Sequence, residues 1–160
     1  MRDTVLVCSV PQGFGSAALA LHDIQRKVNR HLQIPISNRK EALRNALSEV
    51  KGTCQESGWD GYDALAVPEA AFFEADLMIE LLPQRVLLPE IVPEPSGAIG
   101  FEWRKGADRV FIASVSGANT IVYAGVLGGK NKARGIEEFF ESIPSRITDL
   151  LLSYFSPDWN

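Results

Sequence analysis

Residues 98–127 read AIGFEWRKGADRVFIASVSGANTIVYAGVL. Three runs, 98–104, 109–115 and 120–127, are rich in β-branched and aromatic residues, and the gaps KGAD and SGAN are four-residue turns carrying Gly with Asp or Asn. The spacing predicts a three-stranded antiparallel meander. Side chains alternate along a strand, so Ile99, Phe101 and Trp103 share one face of the first run while Gly100, Glu102 and Arg104 share the other. One face packs and the other is wetter. The middle run is apolar on both faces, as a central strand requires.

Outward from the meander, LLPEIVPEPSG (87–97) is too proline-rich for a central strand and is expected to be an extended edge. Before it, Pro68 suits the first turn of a helix, where its missing N–H has no partner to lose. Phe72, Ala75, Ile79 and Leu82 stripe that helix, Phe73, Leu77, Met78 and Leu81 widen the stripe, and Pro83 stops it. So wide an apolar face predicts burial on more than one side. After the meander, GGKNKARG (128–135) reads as a flexible basic linker. A last helix is expected from about Pro144, with Ile147, Leu150, Leu151 and Tyr154 facing inward.

Toward the N-terminus, TVLVCSV (4–10) is a β-branched run ended by Pro11, and from Ser16 the period becomes helical, with Leu21, Ile24, Val28 and Leu32 on one face. Asn38 and Glu41 resemble a capping box for a second helix, lined by Leu43, Ala46, Leu47, Val50 and Cys54 to about Gln55. The expected fold is α+β: a three- or four-stranded antiparallel meander packed by two helices, preceded by an N-terminal strand and a helical hairpin. Residues 1–56 form the strand and hairpin and 57–160 the meander module, within one compact domain.

The chain has 160 residues, with 16 basic against 20 acidic residues and a net charge of -4. Neither sign gathers into a block that would track a phosphate backbone, so nucleic acid is not the expected partner. The nearest thing to a basic patch is Lys130, Lys132 and Arg134, opposed by Glu137 and Glu138. No apolar run approaches the ~18 residues that span a bilayer, and the N-terminal apolar stretch is short for a signal peptide. The expectation is a cytoplasmic protein without membrane contact. Cys8 and Cys54 suit buried thiols better than a disulfide framework.

The chemistry-bearing motifs are thin. GFGSAA (13–18) matches a dinucleotide-binding turn in letters, but residues 31–50 offer a proline turn and a helix where a second parallel strand is needed. GVLGGKN (125–131) fails as a phosphate loop, with Ala124 for the first glycine and Asn131 for the Ser or Thr. His22 and His31 are nine apart and cannot share a helix face as an i, i+4 ligand pair. No cofactor, metal site or catalytic residue is assigned. Carboxylates remain the route to acid–base chemistry: Asp60, Asp63 and Glu69 near one loop, and Glu90, Glu94 and Glu102 by the sheet edge. They support a rival expectation of a small hydrolase or nucleotide-binding enzyme.

The loop SGWDGYDALAV (57–67) holds Trp59 and Tyr62 between glycines, an arrangement that suits burial of both rings over one end of the core. Exposed aromatics are also frequent interface anchors. WDGYDA (59–64) and PEIVPEPSGAIGFEW (89–103) resemble a group of uncharacterised bacterial proteins that carry a W-D-G-Y-x-A loop and a P-E-x-x-x-E-P-x-G-x-I-x-x-E-W segment. That resemblance covers 57 to about 152. It implies a shared α+β module and assigns no catalytic residue. The balance is against an enzyme and toward a protein-binding accessory or regulatory protein of the antitoxin, immunity or defence type. Its expected contact residues are Trp59, Asp60, Tyr62, Asp63, Glu90, Glu94, Arg104 and Lys105, and a homodimer through an open sheet edge is a further expectation.

Overall fold

The structure, a computed structural model, describes residues 36–157. The strand expected at 4–10, the helix expected from Ser16, GFGSAA, Cys8, His22 and His31 lie outside the described residues.

Among the described residues five antiparallel strands form one sheet in sequence order: β1 (Glu90–Pro93), β2 (Ile99–Lys105), β3 (Arg109–Val115), β4 (Thr120–Leu127) and β5 (Lys132–Glu138). The central three are the predicted meander, and β1 is the predicted proline-rich edge. With Phe101 opposite Ala113 and Phe111 opposite Gly125, the registers place Ile99, Phe101, Trp103, Phe111, Val115, Ile121 and Tyr123 on one buried face. Its aromatic rings form a continuous chain: Phe101, Trp103, Phe111 and Tyr123 follow one another with centroids 6.3, 6.0 and 5.8 Å apart, and Phe155 joins at 6.1 Å from Phe111. Such offset and tilted pairs add to plain burial.

The segment expected to be a flexible linker is instead the turn Gly128–Asn131 and strand β5. Gly128 and Gly129 have positive φ and close the hairpin, while Asn131 accepts the Leu127 N–H at 2.9 Å. The β5 sequence KARGIEE carries charge on an edge strand, so no apolar alternation announces it. Its helix-side residues are Ala133, Gly135 and Glu137. The Tyr123 ring lies over Gly135, where a Cβ would sit 2.6 Å from the phenol oxygen. Glycine there is a packing requirement, with the aromatic covering the backbone that glycine bares.

Among the described residues three helices cover the buried face or its flank: α1 (Ile36–Thr53), α2 (Glu69–Leu81) and α3 (Ser145–Tyr154). Helix α1 begins before Asn38, so Asn38 lies in its first turn and is not the cap. Leu43, Leu47, Val50 and Cys54 are buried from it, as its period requires. It packs on α2 as an antiparallel pair whose outer seam is ionic: Lys40 meets Glu80, Arg44 meets Asp76 and Glu80, and Lys51 meets Glu69.

Helix α2 is buried toward both α1 and the sheet through Ala71, Phe72, Ala75, Met78 and Ile79. Phe73 does not widen that stripe; it is 74% exposed on the far side. In α3, Ile147 and Leu151 are buried and Leu150 and Tyr154 pack against the core, as expected. The chain after α3 is tied back: Leu87 N–H donates to the Phe155 carbonyl at 2.7 Å, and Trp103 Nε1–H to the Leu87 carbonyl at 2.9 Å.

Candidate functional site

The 57–67 loop is closed by its own backbone. Gly58 N–H donates to the Ala64 carbonyl at 2.7 Å and Val67 N–H to the Cys54 carbonyl at 2.9 Å. Asp60 Oδ1 accepts the N–H groups of Tyr62 at 2.8 Å and Ala64 at 3.3 Å, the local turn that an Asp between glycines favours. The two rings separate. Trp59 is half-buried against the core, and its indole N–H donates to the Leu65 carbonyl at 2.9 Å. Tyr62 is 84% exposed, because the Asp60 turn and the positive φ of Gly61 put it at the loop tip. It plugs nothing, contrary to the expectation of two buried rings. Asp63 is exposed beside it.

The loop joins the sheet at one end, where Leu65 N–H donates to the Pro95 carbonyl at 2.9 Å. Next to that turn, Glu94 reaches over the sheet face opposite the helices and accepts the Ser114 hydroxyl at 2.5 Å. Gly100 makes this possible. A Cβ at Gly100, which lies opposite Ser114, would sit 2.9 Å from the Glu94 carboxylate.

No described helix covers this outer face. One row across it runs Glu90, Glu102, Ile112, Ala124 and Arg134, and the next runs Val92, Gly100, Ser114, Val122 and Ile136. Arg104 is exposed on the same face and pairs with Glu102. The face therefore carries Glu90, Glu94, Glu102 and Arg104 at β1 and β2, the apolar Ile112, Val122 and Val126 in the middle, and Lys132, Arg134, Ile136 and Glu138 at β5. Ile136 is 68% exposed and Val122 49%.

Lys105 points to the opposite face and donates from Nζ to the Ser156 carbonyl at 2.7 Å, so it anchors the chain after α3. Thus Trp59, Asp60, Tyr62, Asp63 and Glu94 gather at one end of the sheet. Glu90 and Arg104 lie on the outer face toward the other end, about 14 Å and about 20 Å away along the strands at ~3.4 Å per residue. The exposed apolar patch on β4 and β5 is the feature that sequence reasoning missed. Its signal was present: Val122, Ala124 and Val126 alternate with the buried Ile121, Tyr123 and Leu127, so β4, like β3, is apolar on both faces.

Two concavities stand out among the described residues. One, of about 30 Å³, lies between Leu43, Ile79, Val86 and Leu87, room for about one water. The other is an open trough on the outer face along Val110, Val126, Lys132 and Arg134. At about 520 Å³ the trough has the volume of a small-ligand cleft, but it is open to solvent. No described His, Cys, Asp or Glu residues form a group of three able to hold a metal ion. No helix among the described residues is long and apolar enough to cross a membrane. Compared with known protein families, with curated proteins and with solved structures, the chain shows no significant match.

Proposed function

We propose that this chain works by direct contact with another protein, as an accessory or regulatory protein of the antitoxin, immunity or defence type, and not by catalysis. The observation that carries the reading is the one-sided sheet: helices bury one face, and the other presents Val122, Val126 and Ile136 to solvent. Contiguous exposed apolar surface rimmed by polar residues is the mark of a contact site. The Tyr62 tip supplies an aromatic of the kind that anchors interfaces, and Glu90, Glu94 and Arg104 supply a polar rim. The motif likeness of 59–64 and 89–103 to the bacterial group described above belongs to the same proposal.

The test is cross-linked capture with the tagged chain in its native host, repeated with Tyr62→Ala and Val122→Asp after circular dichroism shows both to be folded. A stoichiometric partner, lost in one of the variants, is the expected result. Capture of nothing, together with thermal stabilisation by a nucleotide or divalent ion that Glu94→Gln abolishes, would replace this reading with the enzymatic one.

A further inference from the structure

The two edges of the sheet are treated differently. β1 is four residues long, ends in Pro93 and has α1 packed beside it. Short strands, proline and a covering helix are the usual means of blocking edge-to-edge pairing. β5 is seven residues long, contains no proline and pairs with β4 in an unbroken register. Among the described residues it has no second neighbour in the sheet.

The hydrogen bonds at its two ends fix which groups face outward. Phe139 N–H donates to the Asn119 carbonyl and Leu127 N–H to the Asn131 carbonyl, so the odd-numbered positions from 131 to 139 are bonded to β4. Bonded and non-bonded pairs alternate in an antiparallel ladder. The backbone N–H and C=O groups of Lys132, Arg134, Ile136 and Glu138 therefore point to the open edge.

Charge decides what can pair there. Around Gly135 the strand is antisymmetric, with Lys132 and Arg134 before it and Glu137 and Glu138 after it. Parallel pairing of two copies sets like against like. Antiparallel pairing about a two-fold axis at Gly135 sets Lys132 opposite Glu138 of the partner subunit, twice, and Arg134 opposite the partner's Ile136. Opposite charges directly across a ladder stabilise it and like charges destabilise it. The arginine stem gives the exposed Ile136 an apolar neighbour.

We infer that β5 is a self-pairing edge that joins two copies of this chain, antiparallel about Gly135, into one continuous sheet. The interface is isologous and closed, so it stops at a dimer. It also sets the two outer apolar faces side by side. This inference does not depend on the proposed function, since it concerns the purified chain alone.

The experiment is sedimentation velocity on the full chain across the micromolar range, with circular dichroism to check folding. The expected result is a concentration-dependent dimer. Lys132→Glu and Glu138→Lys should each weaken self-association by about tenfold, because each reverses two cross-strand pairs. Mixing the two single variants should restore a dimer, because every acidic side chain at these positions then faces a basic one. Ile136→Pro, which removes an edge-facing N–H and spares the bonds to β4, should give a folded monomer. A wild-type chain that stays monomeric overturns the inference. So does a dimer that survives Ile136→Pro, or one whose charge variants neither weaken alone nor recover when mixed.

Discussion

The carboxylate of Glu74, on α2, accepts the backbone N–H groups of Gly117 at 2.8 Å and Asn119 at 2.5 Å, in the turn between β3 and β4. Glu74 is the one buried charged residue among those described, at 4% exposure, and it holds a turn in which Gly117 and Asn119 both have positive φ. It bonds helix to hairpin where a Cβ on Gly117 would strike Ala70 at 2.6 Å. Glu74→Ala leaves two backbone donors without their acceptor and should cost about 2–4 kcal/mol in urea unfolding. Glu74→Gln keeps the shape but turns an NH₂ toward one donor, and should cost less, about 1–2 kcal/mol.

A second expectation concerns the edge strand. Gly135→Ala drives a methyl into the buried Tyr123 ring, which approaches within 2.6–2.9 Å of the new Cβ. The expected loss is about 1–3 kcal/mol, the cost of overpacking. In a Tyr123→Ala background the same change should be almost neutral, since the obstructing ring is gone. A double-mutant cycle by chemical denaturation measures that coupling, and additive effects would show that Gly135 is not held by the ring.

The two aromatics of the 57–67 loop should part in the same way in solution. Trp59→Ala removes a half-buried ring and its hydrogen bond to the Leu65 carbonyl, for an expected loss of about 2–3 kcal/mol. Tyr62→Ala removes a side chain that is almost wholly in solvent and should change stability by no more than about 0.5 kcal/mol. Equal destabilisation of the two in thermal melts would mean that Tyr62 packs in solution. That would withdraw it from the contact surface.

This division shows where the sequence was legible. The meander, the α2 stripe and α3 follow from periodicity, because their apolar residues face one core and repeat at 2 or 3.6. Phe73 defeats the same logic: it is apolar, but it lies about 100° round the helix from the buried Phe72 and faces water. β5 was hidden because its stabilising features are non-local. Tyr123 covering Gly135 and a ladder to β4 leave no apolar alternation in KARGIEE. In the candidate site, the carboxylates and the loop aromatics were legible as residues, but not as places. Arg104 and Lys105 are neighbours in sequence and lie on opposite faces of the sheet, as the strand period of two demands.

The ionic seam between α1 and α2 predicts a response to acid. Hydrogen bonds from Lys40 and then Arg44 hold the Glu80 carboxyl below its ordinary value of 4.5, and the same cluster, led by Asp76 and then Glu80, raises Arg44. A carboxyl with a depressed folded pKa binds fewer protons folded than unfolded, so its contribution is present above pH 4.5 and is lost as pH falls through the folded value. Stability should therefore decline below pH 4.5 with a slope that Glu80→Gln reduces: the variant lies below wild type at neutral pH, by a small margin for so exposed a group, and the two converge as pH falls through the folded value. These side chains are exposed, so added salt should shrink the difference between the two proteins. Urea midpoints measured down the acid limb, with and without salt, decide it: parallel curves for wild type and Glu80→Gln would mean that the seam orients the helices without stabilising them.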